Sequence, residues 1–383
     1  MHPTLSAAGL GALIAFGAAH CAAGPSCWVY FGTSATDSSQ GIYLSRLDQG
    51  TGKISPAVRV AEKADSEFFA FAPDRKHLYS LAQVPGRGGR PVEAIETYEA
   101  NADTGALKDI GELVVDGTEG CHISVDPSGR CVLTANYDGA YVEVFPILAD
   151  STVGARTCIM RQSGSGPNLS RQQSAHLHSI NVDPSGRFAI VADLGQDKVF
   201  IYRLDAAKGT LSPNDPPFAR VAPGAGPRHF AFHPHGDYAF VIDELDGTIT
   251  TFRWDGKRGI LTPTDAVSIL RNDYKGLNTS AEVVVSSDGR FVYGSNRGDD
   301  SIVVNAFDPG TGKLAFVQRM ADGVKVPRNY AIDPSGKWLV CANLTANTVT
   351  VYRIDAGSGR LELTGTIPVP QPLCVRFLRV GNQ

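Results

Sequence analysis

Helical periodicity is almost absent from this chain: along its 383 residues no long segment repeats apolar positions every three or four residues. A helix bundle, a coiled coil and a doubly wound α/β fold are thereby excluded, because each needs amphipathic helices. Basic runs interleaved with aromatics are missing too, and the formal net charge is -4. That balance argues against a nucleic-acid or anionic-membrane surface and leaves a small molecule as the partner class. Beyond the N-terminus no stretch is long and apolar enough to span a bilayer. The seven cysteines include no CxxC and no Cys/His metal spacing. Six of them (Cys27, Cys121, Cys131, Cys158, Cys341 and Cys374) lie singly on apolar strands. An even count in an exported chain permits disulfides, but buried thiols explain these positions equally well, so no bridge and no metal site is assigned.

Charge is also lacking at the start, where residues 1 to 36 contain no Asp, Glu, Lys or Arg. Leu5 to Ala19 is apolar and rich in small residues, and Ala22-Ala23 offers a small-residue cleavage site. Residues 1–23 therefore read as a signal peptide whose positive charge is limited to His2 and the terminal amine, with residues 24–383 as the mature domain. A lipoprotein reading is poorer, because His20 precedes Cys21 where a small residue belongs. The expected location is periplasmic or secreted, the alternative cytoplasmic.

What the chain does have is a recurring turn: Pro73-Asp74, Asp126-Pro127-Ser128-Gly129, Asp183-Pro184-Ser185-Gly186, His233-Pro234-His235-Gly236, Ser286-Ser287-Asp288-Gly289 and Asp333-Pro334-Ser335-Gly336. Counted from each Pro (or Ser287), the steps are 54, 57, 50, 53 and 47 residues. Short runs rich in Val, Ile, Phe, Tyr and Ala flank every turn, a third run follows a Gly or Asp turn, and a fourth, more polar strand closes the unit. Four strands in about 50 residues describe a propeller blade. Six blades follow from the turns. The ends supply a seventh, with Trp28 to Gly32, Ile42 to Leu47 and Ile54 to Ala61 joined by the C-terminal run Leu373 to Leu378, which closes the ring and hides its sheet edges. The fold class is thus all-β, a seven-bladed β-propeller in one domain, expected as a monomer.

The shared register shows which positions repeat for structural reasons. Nine residues after the turn stand Asn136, Asp193, Asp243, Asn296 and Asn343, short side chains that suit a turn. One residue later the pattern breaks with Glu244 and Arg297. Six residues before the turn stand Glu67, Cys121, His178, Arg228, Ala281 and Arg328, followed by His122, His229, Glu282 and Asn329 one place on. Antiparallel pairing places Arg228 across from Glu244 and gathers this charge at one mouth of the central channel, opposite the turns. Salt bridges stitching adjacent blades are the plain alternative for Arg228, Glu244, Glu282 and Arg297, and packed core histidines for His178 and His229. His176 reads as a loop residue, and Arg87, Arg90 and Asp299-Asp300 as solvated loop charge.

The segment Gly224-Ala225-Gly226-Pro227-Arg228-His229-Phe230-Ala231-Phe232-His233-Pro234, followed by Asp243-Glu244-Leu245, closely resembles the bacterial seven-bladed propeller lactonase family. That family is typified by propeller-type 6-phosphogluconolactonase and is related to the fungal carboxy-muconate lactonizing enzyme. The resemblance spans residues 28 to 380 and includes Ala281-Glu282-Val283, Ser295-Asn296-Arg297, Pro327-Arg328-Asn329 and His176-Leu177-His178-Ser179. It implies a lactonase with no metal and no cofactor, acting on a small-molecule lactone, with His178, Arg228, Glu244 and Arg297 at the family's functional positions. Asp243 departs from the Asn that usually precedes the Glu, and Leu177 from a frequent Pro. In this reading Glu244 is the general base, Arg228 or His229 an oxyanion donor, and Arg297 and Arg328 the grip on substrate carboxylate or phosphate. His178 is a secondary acid or donor, and Glu282 an alternative base or substrate contact. A muconate-type cycloisomerase and a non-catalytic propeller that binds a protein or glycan are the competing readings.

Overall fold

The computed structural model describes residues 25–34, 41–62, 66–85, 91–115, 117 and 120–381. Positions 1–23, with the expected leader, and Arg87 and Arg90 lie outside them. The strands form seven four-stranded antiparallel sheets, and no helix occurs among the described residues. The innermost strands are β4 (Phe69–Phe71), β8 (Gly120–Val125), β12 (Leu177–Val182), β16 (Pro227–Phe232), β20 (Ser280–Val285), β24 (Pro327–Ile332) and β28 (Pro372–Arg379). Each touches the next around a closed ring, β28 returning to β4. The seven blades expected from the turns are all present.

Closure follows the expected pattern. β28 pairs antiparallel with β1 (Ser26–Thr33), and the sheet continues through β2 (Ile42–Asp48) to β3 (Val58–Ala61). β3 is shorter than the run Ile54 to Ala61 suggests: Ile54 makes only an isolated bridge to Leu47, and Pro56, which has no N–H to give, interrupts the ladder.

The repeated turn owes its recurrence to backbone bookkeeping. In Asp126-Pro127-Ser128-Gly129 the Asp126 carboxylate accepts the N–H groups of Ser128, Arg130 and Cys131 at 2.8, 2.7 and 2.7 Å. Asp183 and Asp333 accept the equivalent sets in their blades. Gly129, at φ 70°, takes the left-handed conformation that a side chain would strain.

Blades stack through their second strands, which are buried on both faces, as in β13 (Phe188–Asp193) and β17 (Tyr238–Asp243). Phe188, Ile190 and Ile201 of one blade meet Ala239, Val241, Phe252 and Trp254 of the next. Each such large side chain contributes about 1.5–3 kcal/mol by leaving water. The outer strands are half exposed and need no such apolar run.

Candidate active site

Nearly every innermost strand carries the same irregularity. In the ladder of β16 with β17, Pro227 pairs with Asp243 and His229 with Ile242, so Arg228 is an extra residue with no partner opposite. Cys121, His178 and Arg328 are bulged out of their own ladders in the same way. A bulge turns a side chain out of the pleat's alternation, which frees these positions from the blade interior. The direct pairing of Arg228 with Glu244 is thereby corrected: the Glu244 N–H donates to the Gly226 carbonyl at 2.7 Å, two residues from Arg228. The side chains nonetheless meet, because the bulge re-aims Arg228.

Glu244 is the centre of a cationic cluster. Its Oε1 lies 2.7 Å from Arg171 Nη2, and its Oε2 lies 3.0 Å from Arg228 Nε and 2.8 Å from Arg297 Nη2. The Arg228 contact is close but poorly aligned, so Nε makes an ion pair without a hydrogen bond there, while Nη1 donates to the Ala281 carbonyl at 2.6 Å. Arg297 is held by the Thr279 and Ser280 carbonyls at the entrance to β20. Burial alone would raise the Glu244 pKa, yet Arg297, Arg228 and Arg171 overcome it and hold the carboxyl at about 2. Burial, then Arg297 and Arg328, pull Arg228 down to about 9, still charged at neutral pH.

His178 Nε2 stands 3.9 Å from Glu244 Oε2, too far for a direct hydrogen bond and suited to one bridging water. Burial, then Arg228, keep this imidazole well below its usual pKa and therefore neutral, and its Nδ1 has no partner. Arg228 is 2% exposed and Arg171 37%, so the cluster opens to solvent on the Arg171 side.

His229 and Glu282 belong to a separate group. His229 Nδ1 is 3.0 Å from Glu282 Oε2, and the Asn329 amide donates to the same oxygen. Burial raises the Glu282 pKa against the opposing pull of Arg376 and Arg228. With Nδ1–H donating to the carboxylate, His229 Nε2 is a buried acceptor without a partner. A series of tilted and edge-on ring contacts joins the two groups: Phe68 to His122 at 4.5 Å, His122 to His229 at 5.5 Å and His229 to His178 at 5.4 Å between centroids. Arg328 faces a small void of about 10 Å³ beside Glu67, Arg228 and His229.

The residues singled out from sequence thus divide. Glu244, Arg228, Arg297 and His178 converge; His229 is in ring contact with His178 and lines one small void with Arg228 and Arg328, while Glu282 pairs with His229 and Asn329 and makes no contact with Glu244. Arg171 was missed, because the loop between β11 (Cys158–Arg161) and β12 stands outside the register of the turns. Its other partner, Tyr137, is also stacked on His176 at 4.3 Å, which makes His176 half-buried and packed. Asp299 is corrected too: its side chain is 1% exposed, paired with Arg271 and Arg319. The six cysteines are free thiols, and among the described residues no group of His, Cys, Asp and Glu is arranged to hold a metal.

Known proteins resemble this chain along nearly its whole length. The family described as "Lactonase, 7-bladed beta-propeller" matches residues 28–377. A 6-phosphogluconolactonase of Bacillus subtilis is 33% identical over 350 residues, covering 91% of this chain and 97% of that protein. The structure of the Pseudomonas aeruginosa periplasmic gluconolactonase superposes with a TM-score of 0.86 at 31% identity, covering 93% of this chain and 100% of the other. A putative 6-phosphogluconolactonase from Bacteroides fragilis gives 0.85 at 28% identity, with 92% and 98% covered. Matched along almost its whole length, the chain belongs to the seven-bladed β-propeller lactonase family.

Proposed function

We propose that this protein is a lactonase that hydrolyses a sugar lactone of the 6-phosphogluconolactone type, using the side chains around Glu244 at one mouth of the channel, without a metal. The observation that carries the reading is the charge imbalance: three guanidinium groups converge on one buried carboxylate. Such a site is electrostatically incomplete until an anion arrives. A ring ester that becomes an oxyanion in the transition state, and a carboxylate afterwards, supplies that anion.

The geometry also redistributes the roles. A carboxyl held at about 2 is a weak base. Protonating Glu244 would moreover strip three guanidiniums of their counter-charge. Glu244 therefore acts as the anchor that fixes the arginines and one side of the attacking water, and His178 Nε2 accepts the proton. The resulting imidazolium is stabilised by Glu244, and bound substrate charge offsets the Arg228 field that otherwise disfavours it. Arg228 and Arg297 stabilise the oxyanion; the half-exposed Arg171 and Arg328 hold the substrate's outer polar groups. The water's hydroxide adds to the lactone carbonyl carbon, the ring C–O bond breaks, and the proton on His178 passes to the leaving alkoxide.

Export fits the uncharged leader, and the likeness to a periplasmic gluconolactonase favours an unphosphorylated substrate if the leader is cleaved. The test is turnover of gluconolactone and its 6-phosphate side by side, above their spontaneous opening, with Glu244→Gln, Arg297→Ala and His178→Asn. Arg297→Ala is expected to lower kcat/KM by about 10²–10³, and His178→Asn to lower kcat by about 10²–10⁴ with little change in KM. A Glu244→Gln protein with unimpaired turnover would sink the assignment.

A further inference from the structure

The innermost strands share a second pattern. In β8, β12, β16, β20 and β24 the last two residues before the turn are half-exposed, and the same holds for Ala70-Phe71 in β4. The channel therefore widens toward the turns, away from Glu244. Two cavities of about 840 and 390 Å³ occupy this end. They share His122, Asn181, Pro334 and Arg376 in their walls and form one connected hollow.

Polar and apolar side chains share its walls. The Arg376 guanidinium lies 4.6 Å over the Phe68 ring, and its Nη1 donates to the Val375 carbonyl at 2.8 Å. Among the described residues Nη2 and Nε carry no hydrogen bond. His122 Nδ1 accepts the Ile180 N–H at 3.4 Å, which places the ring's proton on Nε2 as a spare donor. Ser124 Oγ is buried without a partner. Arg75, Lys76 and Arg379 add positive charge at the rim. The acids of the wall are already engaged: Asp74 by His77 at 2.7 Å, Glu282 by His229 and Asn329, and Asp333 by Gln49 at 2.6 Å and the turn amides. A hollow of mixed polar and apolar lining, with convergent donors and more basic than acidic side chains, is the form of a small-anion site.

We propose that the turn end of the channel is a second binding site, for a small organic anion that carries a carboxylate or phosphate beside hydroxyl groups. The anionic head meets Arg376 and the His122 Nε2–H; a hydroxyl meets Asn181. This site does not depend on the lactonase reading, because Glu244, Arg171 and Arg297 take no part in its walls.

Calorimetric titration of the Arg297→Ala protein, whose upper cluster is disabled, with sodium gluconate tests it. One equivalent is expected to bind, and Arg376→Met to weaken binding by roughly 10-fold or more. The exposed pair Arg75→Glu/Lys76→Glu, which keeps the fold if Arg376→Met does not, is expected to weaken it several-fold while leaving lactone turnover unchanged. Inorganic phosphate as competitor separates the sources: displacement of gluconate assigns phosphate chemistry to the head site, and no displacement assigns carboxylate. Absence of gluconate and phosphate binding, or binding indifferent to both the Arg376 and the rim substitutions, overturns the proposal.

Discussion

Asp243 is the buried carboxyl whose surroundings fit it least. Thr248 and Thr250 donate to its Oδ2 at 3.0 and 2.7 Å, but Oδ1 is buried without a partner. Burial pushes this carboxyl well above the carboxylate range, an effect that the threonines oppose without cancelling. A raised folded-state pKa contributes stability that is fully present below the unfolded value of about 3.9 and is lost as pH rises through the folded one. Asp243→Asn is therefore expected to raise stability, seen as a higher melting temperature in a thermal-melt series, by a margin that grows from pH 5 to pH 8 and reaches about 1–2 kcal/mol. An increment that shrinks with pH would reverse this reading. At this scale the sequence was legible where residues broke a repeat: Glu244 and Arg297 stood out against Tyr137, Leu194 and Leu344, and the charge six residues before the turn, at Glu67, His178, Arg228 and Arg328, stood out where a propeller should be dry. Arg171 was not legible, since it lies on an inter-blade loop with no counterpart to compare.

Among elements, the turn and the bulge divide the work. The turn's Asp supplies acceptors for several backbone N–H groups at once, and in Asp333 it also receives Gln49 Nε2 from the closing blade. Asp333→Ala leaves those donors unsatisfied in a tight corner, and a loss of about 2–3 kcal/mol is expected in denaturant unfolding. A loss below about 0.5 kcal/mol, the ordinary scale of surface substitutions, would show that water replaces the carboxylate. The turn could be read from the sequence because it is local. The bulge could not, because nothing in Pro227-Arg228-His229 announces an unpaired residue. Which way the neighbouring His229 faces depends on that bulge, and so its pairing with Glu282 in place of Glu244 emerged only from the structure.

For the whole molecule, closure is the weak point and the decisive one. β28 is both the innermost strand of its blade and the partner of β1, so one C-terminal strand completes the ring. Deleting residues 372–383 is expected to abolish cooperative unfolding and to yield larger associated species in size-exclusion chromatography, because the inner edge of β1 then stands unpaired. A truncated protein that eluted in the same association state as the full chain, with a single sharp transition, would show that the ring closes without it. Six blades were legible from turn spacing and the seventh, with closure, from the strands left over at the two ends, whereas the hollow at the turn end was not, for it arises from how seven strands splay. The run of ring contacts through Phe68, His122, His229 and His178 carries a last consequence. Because each ring rests on the next, a change of side-chain volume at His122 is felt at His178, and so beside Glu244, without replacing any arginine of that cluster.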